Sequence, residues 1–222
     1  MEVTRSNNSP RNVATFFLDY VGERRGCPLI TRTDCGTENG ILAALQCYLR
    51  NDDYPLNGEN AHRYGASISN QRIENWWSHF RRICSNWWIH FFKDMLDADI
   101  LDLHNEFHME CLWFCFHGIL QVAIDEVKEY WNSHYIRFSR HETVGGVPNI
   151  LYFLPERSNA VDCLVPLTLV KITEAKALYE PEEQDDNLYE EYFHYVMENN
   201  NIQYPTNHRQ AYDLFLYLVN TQ

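Results

Sequence analysis

Apolar residues recur at helical spacing along much of this chain, which predicts a helix-rich protein. Ser9 followed by Pro10 is typical of a helix start, so we expect a first helix over residues 10–21, with an apolar stripe of Val13, Phe16, Phe17 and Val21. A second helix is predicted through residues 41–45, and a long one begins after Ser69 and breaks near residues 85–86. Residues 105–135 predict one core helix or two in succession.

Two short runs predict strands instead. Residues 28–33 are partly β-branched and lead into Asp34-Cys35-Gly36, which is typical of a strand entering a loop, and residues 62–65 predict a brief strand. Asp34 is therefore expected at the C-terminal end of a strand. Further along, Pro148 opens a short helix, and two helices are expected over residues 187–198 and 207–220, the last capped by Asn207.

Charge is unevenly distributed along the 222 residues, whose net charge is −13. Residues 161–222 carry 3 Lys and Arg against 11 Asp and Glu, whereas residues 1–160 carry 15 against 20. This balance excludes a strongly basic DNA-coating protein but leaves room for a local nucleic-acid surface. A hydrophobic content of 45% excludes a disordered tail. Because neither a run of about 18 apolar residues nor a signal core is evident, we expect an intracellular protein with no membrane partner.

Cysteines and histidines offer an alternative chemistry. The seven cysteines are an odd number without a C-x-x-C pair, which argues against a disulfide framework or a zinc ribbon, so reduced thiols are expected. A zinc site from one helical segment is also disfavoured, because its candidate ligands span about 16 Å along the helix axis and cannot close around one ion. These candidates, for which we expect a core or surface stripe, are His104, His108, Cys111 and Cys115.

Two acidic residues stand in informative surroundings. Asp34 lies in T-D-C-G-T-E-N at a predicted strand end, and Glu74 lies in S-N-Q-R-I-E at the start of a predicted helix. Carboxylates from different elements can share divalent metals about 3.5–4 Å apart for in-line phosphoryl transfer. A structural or solvated pair of acids is the alternative, and the pair alone does not decide between them.

The sequence around these acids resembles integrase cores. T-D-C-G-T-E-N resembles the S-D-N-G-T motif of retroviral and retrotransposon integrases, and S-N-Q-R-I-E resembles their Q-G-x-x-E helix start. W-N-S-H-Y-I-R, followed by S-R-H and V-P, resembles their N-x-x-R-x-H segment and T-P turn. Over most of residues 3–156 the chain is similar to the transposon-derived integrase core domain proteins of animal genomes.

The resemblance implies an α/β fold of the ribonuclease-H-like type. It places a core over residues 1–156, with a helix-rich remainder, and an acidic helical extension over residues 157–222. The first metal-binding acid of such cores lies on the first strand, well before the second acid, and counting back from Asp34 passes Met1. The core is therefore expected to lack its first strands. Residues 1–3 would correspond to the third strand, with residues 1–6 loose or paired with residues 29–33.

The resemblance also implies a site. Asp34 and Glu74 would be the catalytic residues and metal ligands, facing each other across a shallow cleft and holding Mg²⁺ for DNA strand transfer. Since the first catalytic Asp is missing, we expect this chain alone to be inactive and its Mg²⁺ binding to be doubtful. Glu38 is expected to be solvated or to cap the second helix. The competing interpretation is a non-catalytic protein, domesticated from an integrase, that binds DNA or another protein, self-associates, or assembles with a longer paralogue.

Arginines near Glu74 and in a later loop are the DNA contacts that the resemblance implies, because arginine–phosphate contacts position a protein without reading sequence. The candidates are Arg72, Arg81, Arg82, Arg137 and Arg140. A solvated charged face is the alternative for each of them, as it is for His134 and His141. The tryptophans are expected mainly in the core. A DNA-handling role predicts a nuclear protein.

Overall fold

The computed structural model describes residues 1–6, 8–65, 71–138, 144–179 and 188–221, without the side chains of residues 71 and 72. The helices of this described part are α1 (Pro10–Arg24), α2 (Gly40–Leu49), α3 (Gln71–Phe80), α4 (Asn86–Asp97), α5 (Glu106–Ser133), α6 (Pro148–Phe153), α7 (Leu169–Leu178), α8 (Leu188–Asn199) and α9 (His208–Asn220). A π-helical turn, Arg81–Ser85, joins α3 to α4. The strands are β1 (Gly26–Pro28), β2 (Thr31–Thr33), β3 (His62–Tyr64) and β4 (Leu164–Pro166).

Side-chain caps explain where several helices begin. The Ser9 hydroxyl accepts a hydrogen bond from the Asn12 backbone N–H, and Pro10 occupies the first helical position, as predicted. Asn105 accepts from two backbone N–H groups at the start of α5, and Asn207 does the same at the start of α9. The predicted helices over residues 10–21, 187–198 and 207–220 are confirmed within a few residues of their bounds.

The middle helices differ from the expectation in two respects. The helix does not break near residues 85–86. The π-helical turn instead connects α3 to α4 without an interruption of helical structure. Residues 105–135 form one helix rather than two. Helix α7 and strand β4 were not predicted, and the predicted cap Ser69 lies outside the described residues.

The predicted single strand over residues 28–33 is wrong, because the chain divides it between two sheets. Strand β1 pairs antiparallel with β4, with Gly26 opposite Pro166, while β2 pairs parallel with β3, with Thr31 opposite His62. These are the two two-stranded sheets of the described residues. Pro28 lacks a backbone N–H, so the sheet ladder weakens where the chain leaves β1.

The N-terminal residues corresponding to an expected strand are instead extended chain held by side chains of α5. The Val3 backbone N–H donates to the Gln121 side-chain oxygen at 2.9 Å, and the Arg5 guanidinium pairs with the Glu110 carboxylate. Residues 1–6 form no strand and do not pair with residues 29–33. The expected strand and the alternative of pairing with residues 29–33 are therefore wrong, and the hydrogen-bonding partners of this segment are side chains of a helix.

The chain forms two compact units. The α1 unit comprises Ser6–Glu74 and Asn149–Glu183, and the α5 unit comprises Met1–Arg5, Asn75–Pro148 and Gln184–Gln222. In the α1 unit, α1, α2, β1, β4 and α7 enclose a core that includes Leu18, Val21, Leu49, Val165 and Ile172. In the α5 unit, α5 packs against α8 and α9 around a core that includes Phe107, Phe116, Phe193, Leu214 and Phe215. The acidic segment after residue 157 thus contributes apolar side chains to both cores.

Helix α5 is long enough and apolar enough to cross a membrane, with a mean hydropathy of 1.3 over its most apolar 18 residues. Core helices of soluble proteins meet the same criterion, so its length and composition are weak evidence for a membrane span. Its buried residues Phe107, Cys111, Cys115 and Phe116 belong to the core of the α5 unit.

A buried arginine organises the α1 unit. Arg50, at the end of α2, has a fully buried side chain and forms an ion pair with Asp52 at 2.7 Å. Its guanidinium also donates to the backbone carbonyls of Leu29 and Pro55. One turn earlier, the buried Gln46 amide donates to the Pro28 carbonyl at 2.7 Å. These bonds fix the segment where the chain passes from β1 to β2.

Replacing Arg50 with Met should destabilise the protein by about 3 kcal/mol, because an apolar side chain leaves two backbone carbonyls without a donor and removes the cation paired with the Asp52 carboxylate. Urea unfolding followed by circular dichroism measures the change. The control is Arg63→Met on exposed β3, for which a change within about 0.5 kcal/mol is expected. Equal stability of the two variants would contradict a structural role for Arg50.

Candidate functional site

Asp34 lies directly after β2, where a parallel strand pair ends, and its side chain is exposed. The Asn39 side-chain amide donates to Asp34 Oδ1 at 2.9 Å and to Glu38 Oε1 at 3.2 Å. Since one NH₂ group carries two hydrogens, Asn39 joins the two carboxylates. Gly36 allows this arrangement, because a Cβ there would lie only 2.1 Å from Glu38 Oε1. Glu38 therefore shares a hydrogen-bond donor with Asp34, which differs from the solvated or capping role expected for it.

His62 ties together the strands that precede this loop. The Thr33 hydroxyl donates to the Asp34 carbonyl at 2.9 Å, so it can only accept from His62 Nε2 at 3.3 Å. His62 Nδ1, 2.9 Å from the Thr31 hydroxyl, then accepts from that hydroxyl. Burial lowers the pKa of His62 below its usual 6.5, which favours the neutral imidazole, and in that form these hydrogen bonds place its proton on Nε2.

Glu74 lies in the first turn of α3 with an exposed side chain. It belongs to the α1 unit, as Asp34 does. The expectation that the two carboxylates face each other across a shallow cleft stays a prediction.

The ligands do not fit a two-magnesium site within the described residues. Paired Mg²⁺ ions need several oxygen ligands in near-octahedral geometry. The described part of the chain holds no group of three or more His, Cys, Asp and Glu side chains that could bind a metal ion. We therefore derive no catalytic step through a metal here.

Two of the candidate DNA-contacting arginines lie on the π-helical turn. Arg81 and Arg82 are both exposed; Arg81 Nε donates to Asn86 Oδ1 at 3.3 Å, and Arg82 Nη2 lies 3.4 Å from His79 Nδ1. Arg137 is exposed next to the β-bridge between Ile136 and Gly146. Arg140 and His141 lie outside the described residues, as does the side chain of Arg72.

His79 is a residue of this region that the sequence analysis missed. Its ring stacks parallel to those of Tyr130 and His134, at centroid distances of 5.9 and 6.0 Å. Burial, followed by the nearby charges of Arg82 and His134, lowers the pKa of His79. Its position three residues before Arg82 on one helix was the only available sequence signal.

The tryptophans divide between core and surface. Trp76 is buried, and Trp88, Trp113 and Trp131 are partly buried, whereas Trp77 and Trp87 are each 47% exposed. Trp76, Trp88 and Trp131 pack in the core clusters, so the expectation of core positions holds for three of the six. The two exposed rings belong to α3 and α4, on either side of the π-helical turn.

The candidate zinc ligands occupy different environments. Cys111 and Cys115 are buried thiols of the core, and burial, together with the adjacent Glu110, raises the pKa of Cys111 to about 12. His108 Nδ1 accepts from the Asp102 backbone N–H at 3.2 Å, and His104 is exposed. The cysteines are thus kept protonated, which is unfavourable for metal binding.

Comparison with known proteins identifies one relationship. A family model described as "Integrase core domain" matches residues 1–154, a range that includes Asp34, Glu74 and all five candidate arginines. The curated proteins and the solved structures that were compared gave no match.

Acidification should destabilise the α1 unit through His62. Because the folded pKa of His62 is depressed, its contribution is complete above about pH 6.5 and is lost as the pH falls below that value. His62→Gln, which keeps one donor and one acceptor, should flatten the fall in unfolding free energy between about pH 7 and pH 5. Urea unfolding at several pH values measures the slope. His104→Gln, on an exposed site, should leave the slope unchanged, and an unaltered slope in His62→Gln would refute the assignment.

Proposed function

Because this chain belongs to the integrase core domain family, we propose that it is an integrase- or transposase-like protein of mobile-element origin that binds DNA but does not catalyse strand transfer by itself. The resemblance of its motifs to integrase cores is confirmed at the level of the family. The family implies a ribonuclease-H-like α/β fold and typically uses divalent metals. DNA binding and the absence of autonomous catalysis are the two parts of the proposal.

The exposed arginines of the π-helical turn support the proposal that the protein binds DNA. Arg81 and Arg82 are adjacent on a π-helical turn, and such turns are frequent at functional sites. Each guanidinium has a neutral neighbour, Asn86 for Arg81 and His79 for Arg82, and neither forms an ion pair with a carboxylate among the described residues. A guanidinium that is not neutralised by an acid keeps its charge for phosphate.

The exposed rings of Trp77 and Trp87 flank these arginines in sequence. Aromatic side chains next to such arginines can stack on unpaired bases, while the arginines contact the phosphates. The whole chain is nevertheless acidic, so we propose weak, salt-sensitive binding rather than tight, sequence-specific recognition.

The ligand set supports the second part of the proposal. Asp34 and Glu74 are the two acids that match the family's motifs, and two carboxylates provide fewer oxygens than paired magnesium ions require. We propose that strand transfer needs a third acid, supplied by a second copy or by a longer paralogue. A protein that acts on genomic DNA works in the nucleus, which is the localisation we propose.

The double variant Arg81→Ala, Arg82→Ala should weaken DNA binding. Loss of two phosphate contacts should reduce the slope of log affinity against log salt concentration by about 2. Fluorescence anisotropy of a labelled duplex, titrated at several salt concentrations, measures the slope.

Arg157→Ala with Arg209→Ala is the matched control, since it removes the same charge from two other exposed positions. This variant should keep the wild-type salt slope. If both double variants lose affinity equally, only net charge matters and the arginines of the π-helical turn have no special role.

Purified protein should show no Mg²⁺-dependent nicking or strand transfer on DNA that it binds. Gel assays of a labelled duplex with Mg²⁺ or Mn²⁺ test this directly. Glu74→Gln and Asp34→Asn serve as controls for contaminating nucleases, because background activity persists in both. Activity that either substitution abolishes would disprove the proposed lack of catalysis, and Glu38→Gln would then identify the third acid.

A further inference from the structure

A small cavity opens on the α5 unit between α5 and α8. Its volume is about 140 Å³, similar to the cavities of about 150 Å³ that hold a benzene-sized molecule. Its walls include the aromatic rings of Trp113, Phe114, Phe193 and Tyr204. The Phe114 ring lies with its centroid 5.0 Å from that of Phe193 and 5.3 Å from that of Tyr204, so three of these rings form one continuous surface.

Two carboxylates complete the lining. The Glu110 side chain is 16% exposed, and that of Glu190 is 57% exposed. Burial, together with the negative charge of Glu190, raises the pKa of Tyr204, so its hydroxyl stays neutral. Aromatic faces and carboxylates both attract positive charge, and a cation over such rings is stabilised most where water is excluded. Both kinds of group in this lining favour a positively charged ligand over a neutral one.

The protein already places one of its own cations at this cavity. The Arg5 guanidinium carbon lies 4.8 Å from the centroid of the Trp113 ring, and Arg5 Nη2 donates to Glu110 Oε2 at 2.7 Å. Arg5 thus pairs with one of the two lining carboxylates. The Glu190 carboxylate is exposed and lies 3.9 Å from His194 Nε2. This carboxylate and the surface formed by Phe114, Phe193 and Tyr204 are the parts of the lining that a ligand can contact.

Gly118 independently supports a ligand site at this cavity. It lines the cavity from within the 28-residue helix α5, where glycine is less favourable than alanine. A Cβ at this position would meet no atom within 4 Å, so no neighbouring side chain or backbone requires glycine there. The consequence of glycine at this position is open space beside the aromatic walls.

We propose that this cavity binds a methylated ammonium group. An unmethylated lysine brings three N–H donors that need acceptors, and a guanidinium brings five. A quaternary ammonium needs no hydrogen bonds and is recognised by aromatic rings with nearby negative charge. The group can belong to a free quaternary ammonium compound or to a methylated lysine side chain of a peptide. This inference goes beyond the proposed function and does not depend on DNA binding.

Calorimetric titration of the full chain tests the charge requirement. Choline should bind, and its neutral isostere 3,3-dimethylbutan-1-ol should bind at least about 5-fold more weakly, because only the cation gains from the rings and carboxylates. Failure of choline to bind, or equal binding of the two compounds, would overturn the proposal.

The source of the group is tested with short peptides. A peptide containing trimethyllysine is compared with the same peptide containing lysine and with choline. Binding of the trimethyllysine peptide at least 10-fold more tightly than choline assigns the cavity to methylated protein, and similar affinities assign it to free quaternary ammonium compounds. A preference for unmethylated lysine would overturn the proposal.

Two substitutions locate the site. Glu190→Gln should weaken choline binding about 3-fold, whereas Glu191→Gln, the same change at the neighbouring exposed position, should not. Gly118→Leu should fill the cavity and abolish binding while the variant stays folded, and Gly118→Ala should raise the melting temperature. Wild-type affinity in a folded Gly118→Leu variant would place the ligand elsewhere and refute the proposal.

Discussion

The α1 unit depends on the burial of one charge. Transferring a guanidinium from water is costly unless its N–H donors meet acceptors, and Arg50 donates four hydrogen bonds to one carboxylate and two backbone carbonyls. These acceptors come from the segment between β1 and β2 and from the loop after α2. The same contact that satisfies the charge therefore fixes the path of the chain toward Asp34. The position of the loop that carries Asp34 thus depends on an interaction at the other end of strand β2.

The helix starts that the sequence predicted correctly depend on residues that lie close together in the sequence. A serine before a proline, or an asparagine before an apolar stripe, acts within one helical turn, and α1, α5 and α9 begin accordingly. The sheet pairing has a distant cause. Strand β1 pairs with β4, which lies more than half the chain away in sequence. The residues of 28–33 themselves contain no pattern that predicts their division between two sheets. The strand expected at residues 1–3 was wrong for the same reason, since the partners of this segment are side chains of α5.

The candidate site also combines features that short motifs predict with features that they do not predict. The types and sequence context of Asp34 and Glu74 could be recognised from motifs, because each motif is a short contiguous run. The amide of Asn39 that joins two carboxylates, and the tautomer that His62 must adopt, depend on hydrogen-bond directions that sequence does not encode locally. The parallel stack around His79 requires a helix far along the chain to supply Tyr130 and His134.

The packing of α5 against α8 and α9 also sets the order in which the protein can fold as it is synthesised. The apolar face of α5 leaves the ribosome well before α9, which contains some of the last residues of the chain. At about 5–20 residues per second, roughly 5–20 seconds pass between the synthesis of Phe116 and that of Leu214. During that interval a long apolar helix has no C-terminal partner, and such exposed surface is prone to aggregation. The apolar face of α5 therefore stays uncovered until the residues of α9 have been made.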